Sequence, residues 1–116
     1  MHNYMGPGTH IIHNVENYVL PFNKTDALAL VHDINYMLAS DEDEAVLADN
    51  IAISGTGLTV PDSIMRVGLT LRKWGKLPFY GGDINTGLYL KHKLLNDPKW
   101  ATTIEYYGIT PNVFIK

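Results

Sequence analysis

The stretch "TDALALVHDINYMLASDEDEAVLADNIAI", residues 25–53, holds two helical patterns separated by an acidic turn. In the first, Leu28, Val31 and Leu38 recur at helical spacing, with Ala27 and Ile34 close by. This predicts a helix over 25–39, capped by Asn23 or Thr25, with Asp26 at the positive end of its dipole. "SDEDE" (40–44) reads as the turn, and 44–53 as a second helix. A turn this short makes the helices antiparallel, so residues level with each other have position numbers with a constant sum. Positions 32 and 49 centre on 40.5, inside the turn, which puts Asp49 at the height of His32.

The first helix also raises a problem. His32 and Tyr36 are four apart and Asp33 and Tyr36 three apart, so all three can project towards one site. They stand among apolar neighbours with no lysine or arginine close in sequence. A buried carboxylate without a basic partner is costly. Either this helix end is wet or another positive charge neutralises Asp33. A His32–Asp49 pair is chemically meaningful, because a carboxylate orients an imidazole and stabilises its protonated form. The chain has no cysteine, and no serine sits in a recognisable nucleophile setting. Water is then the natural nucleophile, with His32 as general base.

Towards the N-terminus lies "YMGPG" (4–8), a glycine-rich loop with no basic residue. It lacks the lysine of a phosphate-binding loop. A Gly-Pro-Gly turn can instead aim consecutive carbonyls at one centre. Carbonyls and a carboxylate are hard oxygen ligands that suit Ca²⁺. A calcium ion between this loop and Asp33 would be the missing positive charge. The rest of residues 1–24 reads as loop, punctuated by Asn14, Pro21 and Asn23. His10 and His13 form an H-x-x-H pair, but with no third ligand and no helical pattern zinc is disfavoured. Ile11, Ile12, Val19, Leu20 and Phe22 suit either core or a lipid-facing rim.

Towards the C-terminus, 54–60 reads as loop and "PDSIMRVGLTLRKW" (61–74) as a third helix with Pro in its first turn. "GKLPFYGG" breaks it. A fourth helix is expected over 83–95, with Asp83 as cap and Leu88, Leu94 and Leu95 in the core. The tail, "TTIEYYGITPNVFIK", is β-prone and predicts a short hairpin or a packed loop. The expected architecture is mainly α, a single domain over 1–116.

Composition agrees with a folded domain: 116 residues, 46% hydrophobic, no long apolar run. The absence of cysteine argues against a small disulfide-stapled secreted domain, and the start, "MHNYMGPGTH", carries no signal-peptide pattern. Net charge is -3, but it is unevenly spread. Residues 1–58 hold eight acidic side chains and one basic, and residues 59–116 four acidic and eight basic. An acidic half favours a cation, and a basic half favours phosphate or an anionic membrane surface. "LRKWGK" (71–76) suits a membrane interface, nucleic acid or an ordinary helix end; overall acidity argues against nucleic acid as a partner.

Tyr4-Met-Gly-Pro-Gly8 resembles the calcium loop of the phospholipase A2 family, and His32-Asp33-x-x-Tyr36 its catalytic helix motif. The lack of cysteines, Asp26-Ala27 six residues before His32-Asp33, and Ala48-Asp49 resemble one branch of it. That branch is the phospholipase A2 domain in the N-terminal unique region of the minor parvovirus capsid protein. "GGDINTGLYLKHKLL" (81–95) resembles the glycine-led helix near the end of that domain.

The resemblance implies that the carbonyls of Tyr4, Gly6 and Gly8 and the carboxylate of Asp33 hold Ca²⁺. His32 would activate water, Asp49 would orient His32, and the Tyr36 hydroxyl would brace the network. The reaction would be hydrolysis of a phospholipid sn-2 ester at a membrane surface, with the oxyanion stabilised by calcium and the Gly6 N–H. The setting would be a virion, with the domain part of a larger capsid assembly that breaches endosomal or other intracellular host membranes. The chain departs from the viral pattern in a longer interval before His32, a shorter one from His32 to Asp49, and apparent insertions at the third helix and tail. From another class, the rival is a catalytically silent membrane- or partner-binding module on the same fold.

Overall fold

The computed structural model describes residues 3–4, 10–55 and 82–116. Five helices lie in these segments: α1 (Ile11–Glu16), α2 (Lys24–Leu38), α3 (Glu42–Gly55), α4 (Ile84–Asn96) and α5 (Pro98–Tyr106). A 3₁₀ turn, Pro111–Val113, follows. No strand occurs among the described residues, so the fold is the mainly helical one expected.

The central helix is α2. Its N-cap is Asn23, whose side chain accepts the Asp26 N–H. Eleven of its fifteen residues are buried, which leaves little of its circumference to solvent. One side packs against α3 and another against α4. Leu30, Ile34 and Leu38 follow the i, i+4, i+8 row and are fully buried in the core with Leu90 and Leu94 of α4 and Trp100 of α5. The α2–α4 approach depends on Gly87. A Cβ there would stand 2.9 Å from Leu38 Cδ2 and 3.1 Å from Met37 Cβ.

The hairpin matches the sequence reading, with one shift. Helix α3 begins at Glu42, so two of the residues assigned to the turn join its first turn. Glu42, Asp43 and Glu44 there face the positive end of the helix dipole, and Asp41 Oδ1 accepts the Glu44 N–H. Its buried residues are small: Ala45, Ala48 and Ala52. That row lets α3 sit close against α2.

Three expectations need correction. Leu88, expected in the core, is 44% exposed, and Leu90 takes the buried place on α4 with Leu94. Residues 11–16 are a short helix rather than loop: Ile11 and Val15, one turn apart, are both buried, and Trp100 Nε1 donates to Val15 O at 2.9 Å. The tail is helical rather than β. Asp97 caps α5, Pro98 occupies its first turn, and Trp100 and Ile104 form its buried row. It ends in a Schellman motif: Gly108 takes φ +71, its N–H reaches Glu105 O, and the Ile109 N–H reaches Ile104 O. Here capping and amphipathic spacing outweigh the β-propensity of the Thr- and Tyr-rich stretch. The third helix expected from Pro61, most of the 54–60 loop and the "LRKWGK" stretch lie outside the described residues.

The final residues return to α2. Asn35, fully buried, donates to Val113 O at 2.8 Å and accepts the Ile115 N–H at 3.0 Å. Lys116 Nζ reaches Leu38 O, Ser40 Oγ and Glu44 Oε1 at 2.6 to 2.8 Å, tying the end of α2 to the start of α3.

Candidate active site

The site is built on the α2–α3 pair. His32 is 2% exposed on α2, and its Nε2 stands 2.6 Å from Asp49 Oδ1 on α3. The hairpin turn fixes the level of the two residues, and the alanine row on α3 fixes the separation of the helices. Together they leave no room for a longer linkage. Tyr36, one turn along α2, places its ring 5.0 Å from the imidazole at a 40° tilt.

Two opposing effects act on His32. Burial disfavours the charged imidazolium and lowers its pKa, while the hydrogen bond and the negative charge of Asp49 raise it. Burial wins, so His32 is held below the usual histidine range and is neutral at pH 7. A neutral imidazole that donates Nε2–H to Asp49 keeps a lone pair on Nδ1. Such a ring can accept a proton, and the neighbouring carboxylate stabilises the cation that results. The Tyr36 hydroxyl is pushed above the ordinary tyrosine range by partial burial and by the charges of Asp49 and Glu42, so it stays protonated. Of the two described serines, Ser54 Oγ donates to Asn50 O and Ser40 Oγ accepts from Lys116. Neither bond involves His32.

Asp33 is half-buried on α2, next to His32 in sequence. Tyr4 is fully buried; its hydroxyl donates to Val19 O at 2.5 Å and its N–H to Asp26 Oδ1 at 2.7 Å. Gly6 and Gly8 lie outside the described residues. Among the described residues no cluster of three or more His, Cys, Asp or Glu side chains is placed to hold a metal. His13 Nδ1 and Asn17 Nδ2 stand 3.3 Å apart in hydrogen-bond contact.

The model of the family described as "Phospholipase A2-like domain" matches residues 1–62, the span that contains Tyr4, α1, α2 and α3. This chain belongs to the phospholipase A2-like domain family. Membership supports phospholipase activity in general terms. No curated protein and no solved structure matches the chain.

The sequence places Asp26 at the positive end of the α2 dipole and, with Ala27, in the family resemblance, but spacing alone gives it no partners. In the structure it is fully buried, and its carboxylate accepts three backbone N–H groups: Tyr4 at 2.7 Å, Asn3 at 2.9 Å and Phe22 at 2.8 Å. The usable signal is its position three residues after Asn23. A carboxylate there usually reaches back to the cap, and this one reaches further, to the residues before it and to the N-terminal segment.

Proposed function

We propose that this domain hydrolyses the sn-2 ester of membrane phospholipids in a calcium-dependent reaction. The observation that carries the proposal is the 2.6 Å contact between His32 Nε2 and Asp49 Oδ1 in a chain of the phospholipase A2-like family. With Nε2 committed to Asp49, Nδ1 of His32 takes a proton from water, which attacks the ester carbonyl carbon. The same nitrogen then returns that proton to the departing glycerol oxygen as the fatty acid leaves. Asp49 holds the ring in the required tautomer and balances the charge it gains. Tyr36, protonated and in ring contact with His32, braces the pair.

The metal ligands would be the carbonyls of Tyr4, Gly6 and Gly8 and the carboxylate of Asp33. The all-oxygen donor set fits Ca²⁺. The lack of a side-chain metal cluster among the described residues agrees with a site made mostly of backbone oxygens. When bound, the cation would engage the lipid phosphate and polarise the ester carbonyl.

The disulfide-free composition and the Asp26-Ala27 and Ala48-Asp49 pairs support a viral setting, in which the domain is carried by a capsid protein and breaches host membranes. No helix among the described residues is long and apolar enough to cross a membrane, so action on lipid at the bilayer surface suits the described part of the chain. The test is fatty-acid release from mixed phospholipid vesicles, with excess Ca²⁺ or excess chelator, and with His32→Ala in parallel. Release that needs calcium and is lost in His32→Ala is expected. Vesicle binding without release would favour the silent module. Release that survives chelation would overturn the role given to Asp33.

A further inference from the structure

We infer that Asp26 is a positioning residue for calcium, acting by pinning the backbone of Tyr4 against α2. The inference rests on the calcium reading of Tyr4 and Asp33 above. The Asp26 carboxylate is 0% exposed and accepts three backbone N–H groups from two segments, Asn3–Tyr4 and Phe22. Those three charge-assisted bonds compensate its desolvation.

The contact fixes the chain where the glycine-rich loop begins. Tyr4 is held at two points: its N–H on Asp26 and its hydroxyl on Val19 O. Asn3 adds its own N–H to Asp26, and its Nδ2 donates to Leu20 O at 2.9 Å. A residue held at its amide and at the far end of its side chain has its carbonyl carbon fixed in place, leaving the carbonyl oxygen only the rotation about the Cα–C bond. Asp26 and Asp33 are seven residues apart on α2. Seven residues fall within about 20° of two full turns and rise about 10.5 Å. One stripe of one helix therefore carries both the carboxylate that grips the Tyr4 amide and the carboxylate assigned to the metal. Because α2 is continuous and largely buried, Asp26 sets where the Tyr4 amide and carbonyl carbon stand relative to Asp33. Supporting residues of this kind change metal affinity by about 10- to 100-fold when removed.

Calcium titration calorimetry on the 116-residue chain tests this, with wild type, Asp26→Asn, Asp33→Asn and Trp100→Phe compared. An amide at position 26 keeps the shape but offers one accepting oxygen in place of two. Asp26→Asn is expected to bind Ca²⁺ about 10- to 100-fold more weakly. Its vesicle hydrolysis should recover at raised calcium with kcat near wild type. Trp100→Phe removes the bond to Val15 O and loosens the same core without touching the Asp26 bonds; its calcium affinity should stay well above that of Asp26→Asn. An Asp26→Asn protein with native helicity and wild-type calcium affinity would overturn the inference while leaving the calcium reading intact. Wild type that binds no Ca²⁺ would sink both.

Should Asp26→Asn not fold, hydrogen exchange in the wild type decides. Coupling is reciprocal. If the Asp26–Tyr4 bond strengthens calcium binding, saturating Ca²⁺ must slow exchange of the Tyr4 amide by the same factor. Exchange at Tyr4 that is indifferent to Ca²⁺ in a protein that binds it refutes the role.

Discussion

Replacing Asp49 with asparagine removes one charge at 2.6 Å from His32 Nε2 and leaves the backbone of α3 as it is. In the ground state His32 is neutral and an asparagine oxygen still accepts its Nε2–H, so the loss there is the charge assistance of one hydrogen bond, about 1 kcal/mol. In the transition state the ring carries positive charge, and the partner is worth about 1.5–3 kcal/mol. The Asp49 side chain is 22% exposed, which moderates the upper figure. The difference between the states, about 1–2 kcal/mol, corresponds to a fall in kcat of roughly 5- to 30-fold. An asparagine that turns its NH₂ towards Nε2 would force the wrong tautomer and enlarge the loss. The pH profile gives a second, independent sign. Asp49 raises the His32 pKa against the lowering effect of burial. Removing it must lower that pKa further and shift the acid limb of kcat/KM to lower pH. The assay is fatty-acid release from vesicles across pH, with thermal unfolding as the control on folding. A folded Asp49→Asn protein with unchanged kcat, or with its acid limb moved to higher pH, would refute the reasoning.

Other consequences follow from burial and packing. The His32 pKa is lower folded than unfolded, so stability is highest above about pH 6.5 and falls as pH drops from there towards the folded value; urea midpoints for wild type and His32→Gln should converge on acidification, and parallel curves would contradict this. Asn35→Ala strands Val113 O and the Ile115 N–H and should cost about 2–4 kcal/mol in chemical denaturation; a change well under 1 kcal/mol would show that water replaces the side chain. Gly82→Ala would put a Cβ 2.2 Å from Met37 O, against backbone that cannot yield cheaply, and should destabilise by about 1–3 kcal/mol or more; an unaffected unfolding temperature would show that the 82–83 segment moves aside freely.

The helical hairpin was legible because its signals are local. Periodicity over 25–39, a short acidic turn and the helical stretch 44–53 fix two helices and their register. The pairing of positions 32 and 49 then follows from counting. Asp83 as the cap of α4 was legible for the same reason. The partners of Asp26 and Asn35 were not, because they lie 22 or 23 and 78 or 80 residues away for the N-terminal and C-terminal contacts. Nothing in sequence spacing says that a buried amide will meet the far end of the chain. Helix α5 was missed for a different reason. Thr102, Thr103, Tyr106 and Tyr107 carry β-propensity, and that signal hid the Asp97-Pro98 start and Gly108 stop that decide the element. Weak intrinsic preferences lost to capping and to the burial of Trp100 and Ile104.

The polar residues of α2 differ in what the fold asks of them. On a helix buried this fully, apolar side chains at 26, 32 and 35 would avoid the desolvation that Asp26, His32 and Asn35 incur. Asn35 has a structural reason: it is the contact through which α2 holds the backbone of residues 113 and 115. Asp26 holds three backbone amides that would otherwise need other partners. His32 bonds Asp49 of α3 across the hairpin. Helix α3 already docks on α2 through Ala45, Ala48 and Ala52, and the hairpin turn already sets its register. The His32–Asp49 bond joins the two helices through a titratable pair whose burial lowers the imidazole pKa. The proton transfer proposed above gives that pair a task that an apolar contact at 32 could not perform.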